Sequence, residues 1–358
     1  MKTRFHGKRI TGLLGVVPET LACFQDEVSN YTFPAKQTLR LQKVMGFKTH
    51  RVAKTGTATS DLCVVGLDYL FKRKLLCKEE VGALIVACSY PDYFIPPVSS
   101  VLHGHFHFGK EVFCIDISQG CVGFLIALNE AFLLLEHMEP GKKAIVFAAD
   151  VLSKKVSKQD RNSYPLVGDG AGIAIVENDA NASDISVRIY NNGSARTALQ
   201  IPAGGSRMPS TQETAIRRDM QGDGNLRSLD DLCMNGSEVF TFVQTEVPPM
   251  IEEILQDANL QKEEIDWFLF HQPNKFMLRK LAEKIGVPYE KMPMDLVENL
   301  GNSSGACIPI NAAYALGEQL QTDKYTCCLS AFGSGLTWAA MTMELGELNF
   351  CDLYISDC

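Results

Sequence analysis

The chain is short of positive charge: 34 Lys and Arg face 42 Asp and Glu, leaving −8 at pH 7. A phosphate-neutralising surface needs the opposite excess, so a general nucleic-acid binder is excluded and any basic patch must be local. Long apolar runs are also missing. The longest, such as "CVGFLIAL", stop at Asn129 and Glu130, and "MKTRFHGKRITGLLGVVPE" lacks an apolar core of signal-peptide length. A cytoplasmic protein with no membrane span is expected. No two of the 12 cysteines are spaced as CxxC, and most lie inside apolar runs such as "ALIVACSY" and "YTCCLSAF", so buried reduced thiols are expected, not a disulfide framework. No low-complexity tract occurs.

What is present is an α/β pattern written twice. "EEVGALIVACSY", "EVFCIDIS", "KKAIVFAAD" and "GAGIAIVE" are short apolar runs with turn residues at their ends, as in strands buried on both faces. Helical patterns span Thr59–Leu75 and Val122–Glu136. The second half repeats the order with "EEIDWFLFHQ", "YEKMPMDL", a helix from about Ser304 to Leu320, "YTCCLSAF" and "LTWAAMTMEL". Each half ends on two strands with a Gly-rich turn ahead of the second. A pseudo-symmetric pair of sheets follows, divided near "ENDANAS" into halves 1–177 and 178–358. The polar stretch Asn191–Asp231 reads as a long surface excursion.

Within "DISQGCVGFLIALNEAFLLL", Cys121 stands at the first turn of a helix with no wide polar face. Unpaired N–H groups and the helix dipole there favour an anion, so a lowered thiol pKa is expected. Gly120 and Gly123 permit a tight turn. "WFLFHQPNKF" ends an apolar strand on His271. "ENLGNSSGACIPINAAYAL" puts Asn302 just before the matching helix of the second half. Under a pseudo-twofold, these helix starts face each other and a nucleophile, a base and an amide converge.

Together "DISQGCVGFLIAL", "AADVLSKKVSKQDRNSYPLVGDGAGIAIV", "MNGSEVFTFV", "HQPN", "GNSSGACIP" and "AFGSGLTW" resemble, in order, the β-ketoacyl-acyl-carrier-protein synthase III family of the thiolase superfamily. The resemblance implies a thiolase-like, duplicated five-layer αβαβα sandwich, the first half carrying the nucleophile and the second the His and Asn. It implies a homodimer joined through "EVFCIDIS", with no cofactor and no metal. Cys121 is then the acylated nucleophile, and His271 and Asn302 promote decarboxylation of a malonyl thioester. The backbone N–H groups of Cys121 and Ser334 form the oxyanion hole, and Phe332 packs over the site. The substrates implied are an acyl-CoA or acyl-carrier thioester and a malonyl-carrier thioester. The partner implied is acyl carrier protein.

Substrate-binding candidates from the same comparison are Arg161, near the nucleotide, Asn274 in "HQPN", and Ile95 in the acyl-pocket segment "SYPDYFIPPVSS", where an aromatic is common. Lys275, Arg279, Lys280 and Lys284 are candidates for carrier docking, and Phe276 stands where the family has an arginine. In "LRLQKVMGF", Arg40 and Val44 occupy the places of the Trp and Arg that sandwich adenine, which opens carrier-protein priming as an alternative to CoA.

Other patterns carry less. His103, His105 and His107 in "HGHFHF" are expected in a surface loop, and "GDGAG" lacks the GK[ST] of a phosphate cradle. The vicinal Cys327 and Cys328 alternate faces of a strand. Two other chemistries use a cysteine on such a scaffold: acyl transfer to an alcohol or amine without decarboxylation, and hydrolysis of the papain type, whose Cys, His and Asn come in the same chain order. The papain-type cysteine signature is missing.

Overall fold

The structure, a computed structural model, describes Met1–Cys358. Two sheets form its frame. The strands are β1 (Lys2–Phe5), β2 (Lys8–Pro18), β3 (Val81–Cys88), β4 (Phe113–Ser118), β5 (Lys143–Asp150), β6 (Gly170–Asn178), β7 (Ile185–Asn191), β8 (Trp267–Phe270), β9 (Lys324–Gly333), β10 (Thr337–Gly346) and β11 (Phe350–Ser356). The first sheet has the order β11-β2-β6-β5-β3-β4, the second β1-β7-β10-β9-β8. Along β2-β6-β5-β3 the pairings run antiparallel, antiparallel, parallel, and β7-β10-β9-β8 repeats that series. The duplication read in the sequence is therefore a duplication of sheet topology.

Six main helices fill the layers: α1 (Thr59–Lys72), α2 (Val98–Phe106), α3 (Gly123–Leu135), α4 (Gly236–Ala258), α5 (Lys275–Ile285) and α6 (Cys307–Thr322). Helices α3 and α6 lie between the sheets, α1 and α2 cover the first, and α4 and α5 cover the second, giving five layers. The central position explains the composition of α3, whose Phe124, Leu125, Ala127, Leu128, Ala131 and Phe132 are all buried. Truncating Leu125 or Leu128 to Ala in such a core costs about 2–5 kcal/mol. No helix is long and apolar enough to cross a membrane.

Several elements differ from the sequence reading. "YEKMPMDL" is not a strand: it makes one helical turn at Tyr289–Lys291, after which Met292 and Met294 are buried without joining a sheet. Strand β7 alternates polar and apolar residues and lacks the unbroken apolar run that marks the central strands. Two terminal strands cross the expected division at 177: β1 pairs with β7 in the second sheet, and β11 pairs with β2 in the first. His103 and His105 lie in the last turn of α2 and His107 caps it in a left-handed conformation, so the three do not form a loop. All 12 cysteines are unpaired, and six of them are buried.

The 191–231 excursion is anchored by charge. Arg227, 1% exposed, donates from Nε and Nη2 to Asp160 at 2.6 and 3.1 Å and from Nη2 to Asp223 at 3.0 Å. Removing one partner of a buried pair like this costs about 3–5 kcal/mol, so the excursion is held firmly over the segment that follows β5.

Candidate active site

The turns preceding α3 and α6 meet at the centre. A Cβ on Gly305 would stand 2.7 Å from the Gly120 carbonyl oxygen, and one on Gly120 would stand 2.9 Å from Ser304 Oγ. Only glycines let the two turns approach so closely. Cys121 lies two residues before α3 and Asn302 five before α6, while His271 directly follows β8. These three side chains line one cavity of about 360 Å³, together with Leu41, Met45, Phe240 and Phe276. A second cavity, of about 280 Å³, shares Cys121 and Asn302 and continues past Ser89, Leu152, Ile201 and Leu232.

Each member is held by its neighbours. The Ser334 and Cys121 backbone N–H groups and the Ser304 hydroxyl face the sulfur. A Cβ on Gly333 would sit 2.8 Å from it, so this position leaves space for the thiol. Phe332 meets the His271 ring edge-on at 5.8 Å. The Asn302 backbone N–H donates to the Leu166 carbonyl at 2.6 Å, and its carbonyl accepts from Gly168 N–H at 3.0 Å, so "LVGDG" clamps it. The Asn302 Oδ1 accepts from the Ser304 N–H at 2.9 Å and from the Cys307 thiol at 3.2 Å, leaving the amide N–H groups to the cavity.

The electrostatics correct one expectation. Burial, reinforced by the Asp150 carboxylate, pushes the Cys121 thiol up to about 11, against the pull of the Cys121 and Ser334 amides and the Ser304 hydroxyl. α3 begins at Gly123 with Val122 as its cap, so the helix end does not outweigh desolvation. The resting sulfur is a thiol. Burial acts in the other sense on His271, only 2% exposed, and holds it neutral with a pKa of about 4. A neutral imidazole and a protonated thiol thus line the same cavity. Asp150, at the end of β5, accepts from the Ser89 and Tyr90 backbone N–H groups, both at 2.9 Å, and burial pushes its carboxyl up to about 6. Asp150, Ser304 and Cys307 carry no motif of their own in the sequence, and only their tertiary neighbours mark them.

The remaining candidates separate. Asn274 lines the first cavity, with its Oδ1 occupied in capping α5 through Met277 N–H at 2.8 Å. Arg161 lines neither cavity: its guanidinium lies 3.3 Å over the Phe33 ring, with buried Nε and Nη1 unpartnered. Ile95 is 85% exposed, on an outer groove with Tyr93 and Phe94, and does not reach the cavities around Cys121 within this chain. The docking set is partly neutralised. Lys275 pairs with Asp295 and Glu298 at 2.7 and 2.5 Å, and Lys280 with Glu283 at 2.7 Å, which leaves Arg279 and Lys284 exposed and unpaired.

Five layers with a cysteine, a histidine and an asparagine meeting where the two halves join define a thiolase-fold, acyl-transferring condensing enzyme. Residues 115–193 match the 3-oxoacyl-[acyl-carrier-protein] synthase III family, and residues 255–345 match that family's C-terminal part. The chain is similar to β-ketoacyl-[acyl-carrier-protein] synthase III of Syntrophomonas wolfei, 31% identical over 307 residues, covering 84% of this chain and 87% of that one. It is also similar to β-ketoacyl-[acyl-carrier-protein] synthase III of Clostridium beijerinckii, 30% identical over 338 residues, 94% and 98% of the two chains. The crystal structure of 3-oxoacyl-(acyl-carrier protein) synthase from Burkholderia xenovorans LB400 superposes with a TM-score of 0.89 at 27% identity, covering 99% of each chain. The chain belongs to the β-ketoacyl-[acyl-carrier-protein] synthase III family.

Proposed function

We propose that the enzyme loads an acyl group onto Cys121 and condenses it with a malonyl thioester, giving a 3-ketoacyl thioester for fatty acid or related lipid synthesis. The observation that carries this reading is the shared cavity of Cys121, His271 and Asn302, with two backbone N–H groups aimed at the sulfur. In the first half-reaction His271 takes the thiol proton as the sulfur attacks the thioester carbonyl. The tetrahedral oxyanion is held by the Cys121 and Ser334 N–H groups, and the donor thiol leaves with a proton. In the second, a malonyl thioester loses CO2 and its enolate oxygen is held by two neutral donors, the His271 imidazole N–H and the Asn302 amide. The enolate carbon attacks acyl-Cys121, the C–S bond breaks, and the sulfur regains a proton. The apolar cavity walls keep water from protonating the enolate first.

We read the acyl donor as carried by acyl carrier protein in preference to CoA. The segment 39–47 offers no Trp to stack on adenine, and Phe33 already covers one face of Arg161. The enzyme works without a cofactor or metal, and we place it in the cytoplasm as a homodimer. The unpaired outer edge of β4, where Phe113 is half exposed, is the surface that supports such pairing. The nucleophile belongs to half 1–177 and its two partners to half 178–358.

Intact-mass measurement after incubation with a panel of acyl-carrier and acyl-CoA thioesters tests the reading. The native chain is expected to gain one acyl group and Cys121→Ala none. Adducts on both would remove Cys121 from its role. With malonyl thioester, His271→Ala is expected to keep self-acylation in part while losing decarboxylation, and acyl transfer to an alcohol without CO2 release would favour the non-decarboxylating chemistry.

A further inference from the structure

The helical segment Ala35–Gly46 has two different sides. Leu41 and Met45, one turn apart, line the cavity that holds Cys121, and Thr38 is buried. Lys36, Arg40 and Lys43 recur at successive turns on the opposite side. All three are exposed and none is ion-paired, whereas Lys275 and Lys280 on the adjacent α5 are consumed by carboxylates. Flanking the stripe, Leu39 and Val44 are 40% and 52% exposed. On a chain of charge −8, three unpaired cations between two exposed aliphatic side chains form a local surface of opposite sign, set on the outer face of a cavity wall.

We propose that Lys36, Arg40 and Lys43, with Leu39 and Val44, form the docking face for an acidic, helical carrier protein that feeds its thioester arm past Leu41 and Met45 to Cys121. The inference rests on the acyl-transfer reading of Cys121 and names the surface that the donor uses. Two physical requirements meet there. An acidic donor approaching an acidic enzyme is attracted over an uncompensated cationic patch, which steers encounter and sets its salt dependence. The exposed aliphatic side chains on either flank of the cations supply the apolar contact area that charge alone does not.

The test presents one acyl group, butyryl, on three carriers: purified acyl carrier protein, CoA and N-acetylcysteamine. Acylation of Cys121 is timed by intact mass for the native enzyme and for K36E/R40E/K43E. The rate from the carrier protein is expected to fall at least tenfold and to lose its decrease with added salt, while the N-acetylcysteamine rate is unchanged. An unchanged carrier-protein rate overturns the proposal. So does an equal loss with CoA and carrier protein, which would make the stripe a binding site for nucleotide phosphates. Should the triple Glu variant lose folding, K36Q/R40Q/K43Q is held to the same comparison with at least a threefold loss. Calorimetric binding of the carrier protein, read without turnover, separates the two ideas. Retained binding by a native enzyme that no thioester acylates would sink the catalytic reading and leave the surface standing.

Discussion

The Cys307 thiol donates to Oδ1 of Asn302 across 3.2 Å, and the Ser304 N–H donates to the same oxygen at 2.9 Å. Two donors on one oxygen fix which end of the carboxamide faces the cavity. An amide rotated by half a turn would offer a lone pair where the enolate needs a proton. Cys307 is fully buried, and its thiol is pushed up to about 12 chiefly by that burial, so it stays a donor at any working pH.

Cys307→Ala is therefore expected to slow malonyl-thioester decarboxylation about fivefold, in line with the roughly 1 kcal/mol net value of one hydrogen bond, while Cys121 acylation proceeds unchanged. Cys307→Ser should restore the rate, because a hydroxyl also donates. Equal damage to acylation, or no recovery with Ser, would show that Cys307 merely fills space.

The Cys121 thiol makes a second expectation. With its pKa pushed up to about 11, the thiolate is a minor species near neutrality. Alkylation by iodoacetamide should keep rising from pH 7 through pH 9 without levelling. Asp150→Asn removes the negative charge that helps raise this pKa, so the thiolate fraction increases and alkylation at pH 8 should quicken several-fold. A plateau centred near pH 7 in the native enzyme would overturn the assignment.

Gly333 supplies a third. Its added methyl would lie 2.6 Å from Cys121 Cβ and 2.8 Å from Sγ, where the end of β9 meets the turn before α3. Gly333→Ala is expected to cut Cys121 acylation at least a hundredfold while circular dichroism keeps the native signature, with stability lowered by about the 1–3 kcal/mol of local overpacking. Near-native acylation would show that the turn can yield.

Much of this molecule was legible because its parts are either wholly buried or punctuated. β3, β5 and β6 read as unbroken apolar runs, and α3 showed its interior position in having no polar face. Cys121, His271 and Asn302 were marked by where strands end and helices begin. β7, by contrast, alternates, and "MPMDL" is apolar through burial alone, so neither could be told from its surroundings. The protonation of Cys121 depends on depth, which no motif encodes. The spent charge on Lys275 depends on Asp295 and Glu298, which fold back against it from twenty and more residues away.

The exchange of edge strands has a consequence for how the chain can mature. β11 ends at Ser356 and closes the sheet that β2 and β6 begin, while β1 waits for β7 to complete the other. Synthesis from the amino end thus leaves the flank of β2 bare until β11 emerges, and neither half can be excised with all its own strands. The two repeats are stitched at both ends, so a cut between them separates sequence without releasing two self-sufficient bodies.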